Sequence, residues 1–430
     1  MVVMMSSLTL RSHNLHNAEE LLRQASRDDT ITSLVVEDVP TYRYLWDTIH
    51  QILVEREDSF EVVEVSHCTG SYLLEDWTAT NIKTLMLQSV TIPPSLVLPT
   101  KNLQTLSLTS LSLSVDVAAS LARQLASTPC STTLQCLDLS DTLLSANCVA
   151  FLARGIYNVR SLRYIYLSDC NLMDDQVAEI LSPLHHHPAI TELDISFNKC
   201  RSAGMEALVG ILNTAPTLSK LTMGFQAFGA AKVLDLTPLI EALAVNTHLK
   251  ELDLGGNSIR DKDFLSLVGA LCRNSTLQVL DLSENRITNK GISFLAQRLS
   301  HLPESLRLFI LEANRFDDTG LDMLSKSFSC NSKKRHRHRS NFSLVDMGLD
   351  DEDDFLGSEA VRRVTYWLDL NFGGRCLLLQ PQDEEIPISL WPTILARANN
   401  LTESGLTPRQ PVAADIIYYF LLQGPELVQR

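Results

Sequence analysis

Leucine and isoleucine recur along this chain in one fixed arrangement, L-x-x-L-x-L-x-x-N/C-x-L. It is most complete in LKELDLGGNSI from Leu249, LQVLDLSENRI from Leu277 and LRYIYLSDCNL from Leu162. Less complete copies start at Ile31, Phe60, Ile82, Leu103, Leu134, Ile190, Leu218 and Leu306, and a last strand-like copy, TYWLDLNFGGR, starts at Thr365. From Leu134 to Leu306 the copies step by 28, 28, 28, 31, 28 and 29 residues. Apolar positions alternate in a short strand, so positions 4 and 6 of the pattern point into a core while 3, 5 and 7 face out. Position 9 stands where the chain leaves the strand, and a side chain there can satisfy backbone groups of the turn in repeat after repeat. Asn198, Asn257, Asn285, Asn314, Cys170 and Cys68 occupy it.

Between the strands lie stretches whose apolar residues recur at helical spacing, such as DQVAEILSPL after Asp174, DFLSLVGALCR after Lys262 and KGISFLAQRLS after Asn289. A strand followed by a helix cannot bury its leucines alone, but stacked copies share a continuous core. The spacing therefore predicts an α/β solenoid, a horseshoe with parallel strands on the concave face and helices on the convex face. These strand-plus-helix units of 28 or 29 residues resemble the ribonuclease-inhibitor type of leucine-rich repeat, also found in the Ran GTPase-activating protein and in the sensor arm of NLR proteins. The resemblance covers residues 31 to 325.

Two departures set the expected domain boundaries. From Phe60 to Leu103 the steps shorten to 22 and 21 residues, and VTIPPSLVLPTKNL carries prolines where a helix would form, so extended convex segments are expected there. Beyond Leu306 the next strand is expected only at residues 365–380, leaving 326–364 as a disordered charged insertion with a basic run, KKRHRHR, at 333–339 and an acidic run, DDEDD, at 350–354. Residues 1–30, with a helix at NAEELLRQA, are expected to cap one end of the array. Residues 381–430 are expected to form a helical C-terminal cap, with helices at 389–401 and 413–422.

Composition adds to this picture chiefly through charge. The chain has 430 residues and a formal net charge of -15, which argues against a general nucleic-acid binder because phosphate contact needs a surplus of Lys and Arg. Apolar residues make up 45% but aromatics only 6%, as many small leucine cores require. No stretch approaches 18 uninterrupted apolar residues and the first residues hold too short an apolar run for a signal peptide, so no membrane contact and a cytoplasmic or nuclear location are expected. Nine cysteines without a CxxC pair suggest reduced thiols rather than disulfides or a zinc site.

No GxxxxGK[ST], GxSxG, HExxH or GxGxxG string occurs, so neither a catalytic site nor a cofactor is expected. His185, His186 and His187 invite a metal reading, yet they fall in the helix-to-strand connection where sister repeats carry Asn246 and Asn274 three residues before the leucine. A structural role is the expectation there, since ligating histidines need convergent geometry. The KKRHRHR run reads either as a nuclear-import or acidic-partner peptide or as a solvated loop.

Two features point to binding. Position 5 is acidic at Asp138, Asp194, Asp253, Asp281 and Asp369, and parallel strands ~5 Å apart would line these carboxylates into a partly continuous row. That row is either this repeat's ordinary wording or an attractor for a basic partner. Tyr164 and Tyr166 stand at positions 3 and 5, and Phe197 and Phe225 at position 8 of the next two copies. They are either turned against the loop rim or exposed as interface anchors. The expected function is a non-catalytic protein-binding scaffold using the concave surface at Tyr164, Tyr166, Asp194, Phe197, Phe225, Asp253 and Asp281. The resemblance to the Ran activator implies an alternative, activation of a Ran-like small GTPase. Substrate recognition for a ubiquitin ligase is a further alternative, which the residues before the first repeat, unlike an F-box, do not favour.

Overall fold

A computed structural model describes residues 6–11, 17–25, 31–39, 43–55, 60–68, 81–226, 234–328, 343–349 and 359–372. The chain divides into two compact units, 1–242 and 243–430. The first runs β1 (Ser6–Arg11), α1 (Ala18–Ala25), β2 (Ile31–Glu37), α2 (Arg43–Glu55), β3 (Val62–Ser66), β4 (Thr84–Gln88), β5 (Thr105–Thr109), α3 (Val115–Leu125), α4 (Cys130–Thr133) and β6 (Cys136–Asp138). It continues with α5 (Ala146–Tyr157), β7 (Tyr164–Tyr166), α6 (Asp174–Leu181), β8 (Glu192–Asp194), α7 (Ser202–Thr214), β9 (Lys220–Thr222) and the first residues of α8 (Thr237–Val245). The second holds β10 (Glu251–Asp253), α9 (Asp261–Leu271), β11 (Val279–Asp281), α10 (Asn289–Arg298), β12 (Leu308–Ile310), α11 (Asp318–Phe328) and α12 (Glu359–Phe372).

In the first unit each strand pairs in parallel with the next, from β1 to β9. The register sets Leu34, Val63, Leu85, Leu106, Leu137, Ile165, Leu193 and Leu221 in one file, all at position 4 and none more than 1% exposed. Each such side chain contributes roughly 1.5–3 kcal/mol relative to exposure. In the second unit β10, β11 and β12 pair in the same way.

Position 9 forms the expected ladder. Asn198 donates to the carbonyl of Leu167 one coil back at 2.7 Å and accepts from the Leu172 amide at 2.9 Å. Asn285 and Asn314 repeat this against Leu254 and Leu282. Gln226 takes the same place with one more methylene, reaching Ile195 O and accepting from Cys200 N. The Cys170 thiol donates to Leu139 O at 3.0 Å, and burial pushes it up to about 12, so it serves as a weak donor inside the scaffold.

Helix starts are also knitted between coils. Ser114 and Ser145 cap α3 and α5 by accepting from Val117 N and Cys148 N. Helix α7 has no side-chain cap of its own; instead Asp174 of the preceding coil accepts from the amides of Arg201, Ala203 and Gly204 at 2.7, 3.0 and 2.8 Å. The proline-bearing stretch between β4 and β5 forms no helix; it runs extended with Leu96 and Leu98 buried, and the Gln124 side chain bonds Leu96 O and Leu98 N.

The structure revises both ends of the expected array. Residues 6–25, assigned to a cap, supply strand β1 and helix α1, and β1 is already paired to β2 as a rung. The strand expected from Thr365 does not form, because residues 359–372 are helix α12. The next rung lies earlier, inside the expected insertion. Residues 344–349, LVDMGL, repeat the L-x-x-L-x-L spacing, with Leu344 and Met347 fully buried. Phe309 N and Leu311 N donate to Asp346 O and Met347 O at 3.0 Å each, and Asp346 bridges to Leu308 in parallel. Gly348 takes φ +56° there, beneath Ile310. The runs at 333–339 and 350–354, and the expected cap at 381–430, lie outside the described residues.

Candidate functional site

Four consecutive strands carry the expected aromatic and acidic residues of the first unit. The register places Cys136, Tyr164, Glu192 and Lys220 side by side at position 3, and Asp138, Tyr166, Asp194 and Thr222 side by side at position 5. All eight are half-buried. The Tyr166 hydroxyl donates to Glu192 Oε2 at 3.3 Å, and Lys220 Nζ stands 3.9 Å from the same oxygen. Both charged groups are solvated, so the ion pair orients Glu192 more than it stabilises the fold. Burial, and then the Glu192 carboxylate, push the Tyr166 phenol up to about 12.

The position-5 aspartates have a local duty. Asp138 Oδ1 accepts from Ser140 N at 3.0 Å, while Asp194, Asp253 and Asp281 accept from Ser196 N, Gly255 N and Ser283 N at 2.8 Å. Each closes an Asx turn that leads the chain off the strand. The row they form is broken: Tyr166 separates Asp138 from Asp194, and Asp253 adjoins Asp281 but Ile310 follows. Asp369 lies in α12 and is no strand position.

Position 8 carries a constraint that residue types alone conceal. It is left-handed in every coil from β2 to β12: Asp38, His67, Ser89, Ser110, Asp141, Asp169, Phe197, Phe225, Gly256, Glu284 and Ala313 all have φ between 50° and 65°. Gly, Asn and Asp tolerate this region, whereas a bulky side chain there is an outlier. Phe197 and Phe225 nevertheless occupy two adjacent coils at φ 55° and 57°, stacked with centroids 4.4 Å apart and planes 6° from parallel. Phe197 remains 45% exposed. They form a flat aromatic shelf on the C-terminal rim of the strands.

The seven expected site residues thus fall into two groups, Tyr164, Tyr166, Asp194, Phe197 and Phe225 on three consecutive coils of one unit, and Asp253 and Asp281 in the other. Glu192 and Lys220 join the first group and were missed, since position 3 shows no pattern across copies. The register with Tyr164 is the signal that would have found them.

His187 has a structural role. It is 1% exposed; Nε2 meets Val159 O at 2.9 Å, and Nδ1 accepts from Ala189 N and Ile190 N at 3.3 and 3.1 Å. Among the described residues no group of three or more His, Cys, Asp or Glu could hold a metal ion, and no helix is long and apolar enough to cross a membrane.

A family model described as a leucine-rich repeat matches residues 245–267 and 273–296. With the strand-led coils and the ladder at position 9, this makes the chain a leucine-rich-repeat protein with an α/β solenoid fold. Leucine-rich repeat-containing protein 45 of Gallus gallus is 30% identical over 123 residues, 29% of this chain and 18% of that one. NACHT, LRR and PYD domains-containing protein 12 of Homo sapiens is 30% identical over 127 residues, 29% of this chain and 12% of that one. The alignments thus span less than a fifth of the length of these curated relatives. Among solved structures, an internalin from Listeria monocytogenes superposes with TM-score 0.38 at 18% identity, covering 72% of this chain and 87% of that one. Rad7 in its yeast complex with Elc1 gives 0.43 at 15%, covering 80% and 74%.

Proposed function

We propose that this chain is a non-catalytic protein-binding module of the ribonuclease-inhibitor-like repeat type, acting in the cytoplasm or nucleus. Its binding surface is the floor at Tyr164, Tyr166 and Asp194 together with the rim at Phe197 and Phe225. The stacked phenylalanine pair carries this reading. Two bulky rings are held in a backbone region that costs on the order of 1–3 kcal/mol each for unsuited residues, at a position filled elsewhere by small or polar side chains. Phe197 is exposed and Phe225 half-buried, so neither adds to the core, whereas partly buried aromatic anchors dominate protein interfaces. A stack of coils is also rigid, so binding orders little additional chain. In the other unit, Asp253 and Asp281 are proposed as an acidic binding surface of its own.

The test is affinity purification with the wild-type chain and with Tyr166→Ala/Phe197→Ala, each bait first checked by thermal melting. Proteins captured by the wild type and lost from the folded double variant support the reading; an unchanged set of captured proteins refutes it. GTPase activation and substrate recognition for a ubiquitin ligase rest on likeness of repeats, and no arrangement on the described surface favours either.

A further inference from the structure

Carboxylates surround the aromatic surface on two adjacent rows. On the floor, Asp138 and Asp194 flank Tyr166 at position 5, with Glu192 beneath its hydroxyl. On the rim, Asp141 and Asp169 hold position 8 in the two coils before Phe197 and are exposed. Asp194 spends Oδ1 on Ser196 N, and among the described residues no hydrogen bond to Oδ2 is formed. Lys220 Nζ stands 3.9 Å from Glu192 Oε2, and Lys199 Nζ donates to Asn171 Oδ1. Burial chiefly, and then Asp138, Asp169 and Asp141, raise the Cys170 thiol, as burial and then Asp138 and Glu192 raise Cys136.

Ser196, 5% exposed, stands between Asp194 and Phe197, and its Oγ is enclosed without any hydrogen-bond partner. Position 7 faces the same side of the strand as Glu192 and Asp194. Its counterparts Ser140, Ser168 and Ser283 are half-exposed.

We propose that this surface anchors an arginine of the protein partner, its guanidinium lying on the Tyr166 and Phe197 rings and forked onto Asp194. This rests on the protein-binding reading given above. Arginine fits and lysine does not, because a planar guanidinium stacks on aromatic faces while its several N–H groups engage a carboxylate in a fork. An ammonium is a point charge that would stay hydrated over the same rings.

The test uses the full chain and three fluorescein-labelled peptides, (Arg-Ala)4, (Lys-Ala)4 and (citrulline-Ala)4, in anisotropy titrations at low salt. The arginine peptide should bind at least about fivefold tighter than the lysine peptide of equal charge, and the neutral citrulline peptide more weakly than both. Asp194→Asn keeps Oδ1 as acceptor for Ser196 N and so keeps the turn, but should bring the arginine preference below twofold, as should Tyr166→Leu. Tyr166→Phe should retain it, and so should Glu206→Gln on the outer helix α7. Equal affinities for arginine and lysine peptides, or a preference that survives Asp194→Asn, would overturn the inference. If that happens while Tyr166→Ala/Phe197→Ala still abolishes capture, the binding surface stands without an arginine anchor. If the preference holds but capture is unaffected, the protein-binding reading fails and the inference with it.

Discussion

Gly155 of α5 lies directly against Ala122 of α3. A Cβ on residue 155 would come within 2.8 Å of the Ala122 Cα and 3.1 Å of its carbonyl oxygen. The obstacle is helix backbone, which cannot turn aside like a long side chain. Gly155→Ala gains about 1 kcal/mol of helix propensity but forces neighbouring coils apart, and overpacking costs about 1–3 kcal/mol. We expect a net loss of about 1 kcal/mol, read from the urea midpoint. A variant as stable as wild type would show that the two helices can separate freely.

His187 and Asn274 perform one task in different coils. Asn274 accepts from the amides two and three residues ahead, both at 2.9 Å, and donates to Leu243 O at 2.8 Å; His187 does the same with Nδ1 and Nε2. Burial lowers the His187 pKa, so the unfolded chain binds this proton more readily than the folded one. Its contribution is therefore complete above the ordinary imidazole value near 6.5 and is lost as pH falls below it. His187→Asn should keep the melting temperature at pH 7.5 and flatten its decline toward pH 5. His187→Ala, leaving two buried amides without an acceptor, should cost about 1–3 kcal/mol at pH 7.5 and less toward pH 5. An undiminished decline in His187→Asn would assign the acid sensitivity to other groups.

Phe197 and Phe225 trade backbone strain against their stacking. Replacing both by Asn, which tolerates left-handed backbone, relieves strain while losing a stack worth ~0.5–1.5 kcal/mol. The melting temperature of Phe197→Asn/Phe225→Asn should fall by no more than a degree or two, or rise, while capture of the partner is lost. A much larger fall would make the shelf a part of the fold rather than a surface kept for binding.

Leu344 and Met347 cover the end of the sheet in the second unit. Leu344→Asp puts a carboxylate into a fully buried site and should release the rung. Amide exchange at Phe309 and Leu311, whose N–H groups donate to this rung, should then accelerate at least tenfold, while the Leu282 amide, bonded to Ile310 O, stays protected. Uniform acceleration would instead indicate global destabilisation.

Much of the fold is legible in the sequence because it is local and repeated. Leu252 and Leu280 must face inward wherever LxxLxL is written, and Asn198 or Asn285 can satisfy a turn only from position 9, so eleven copies of one local rule disclose strand, turn and helix together. Where the wording is diluted, local rules stop deciding. TYWLDL reads as a strand, yet Thr365 to Leu370 form helix, while the plainer LVDMGL docks on β12, because the choice depends on which segment can reach the open edge after α11. The binding surface divides in the same way. That Tyr164 and Tyr166 stand on the outward side follows from strand alternation, which a sequence carries. That Phe197 meets Phe225, that both are left-handed, and that Glu192 lies under Tyr166 follow from inter-strand register and coil-to-coil spacing, which arise only once the coils are stacked.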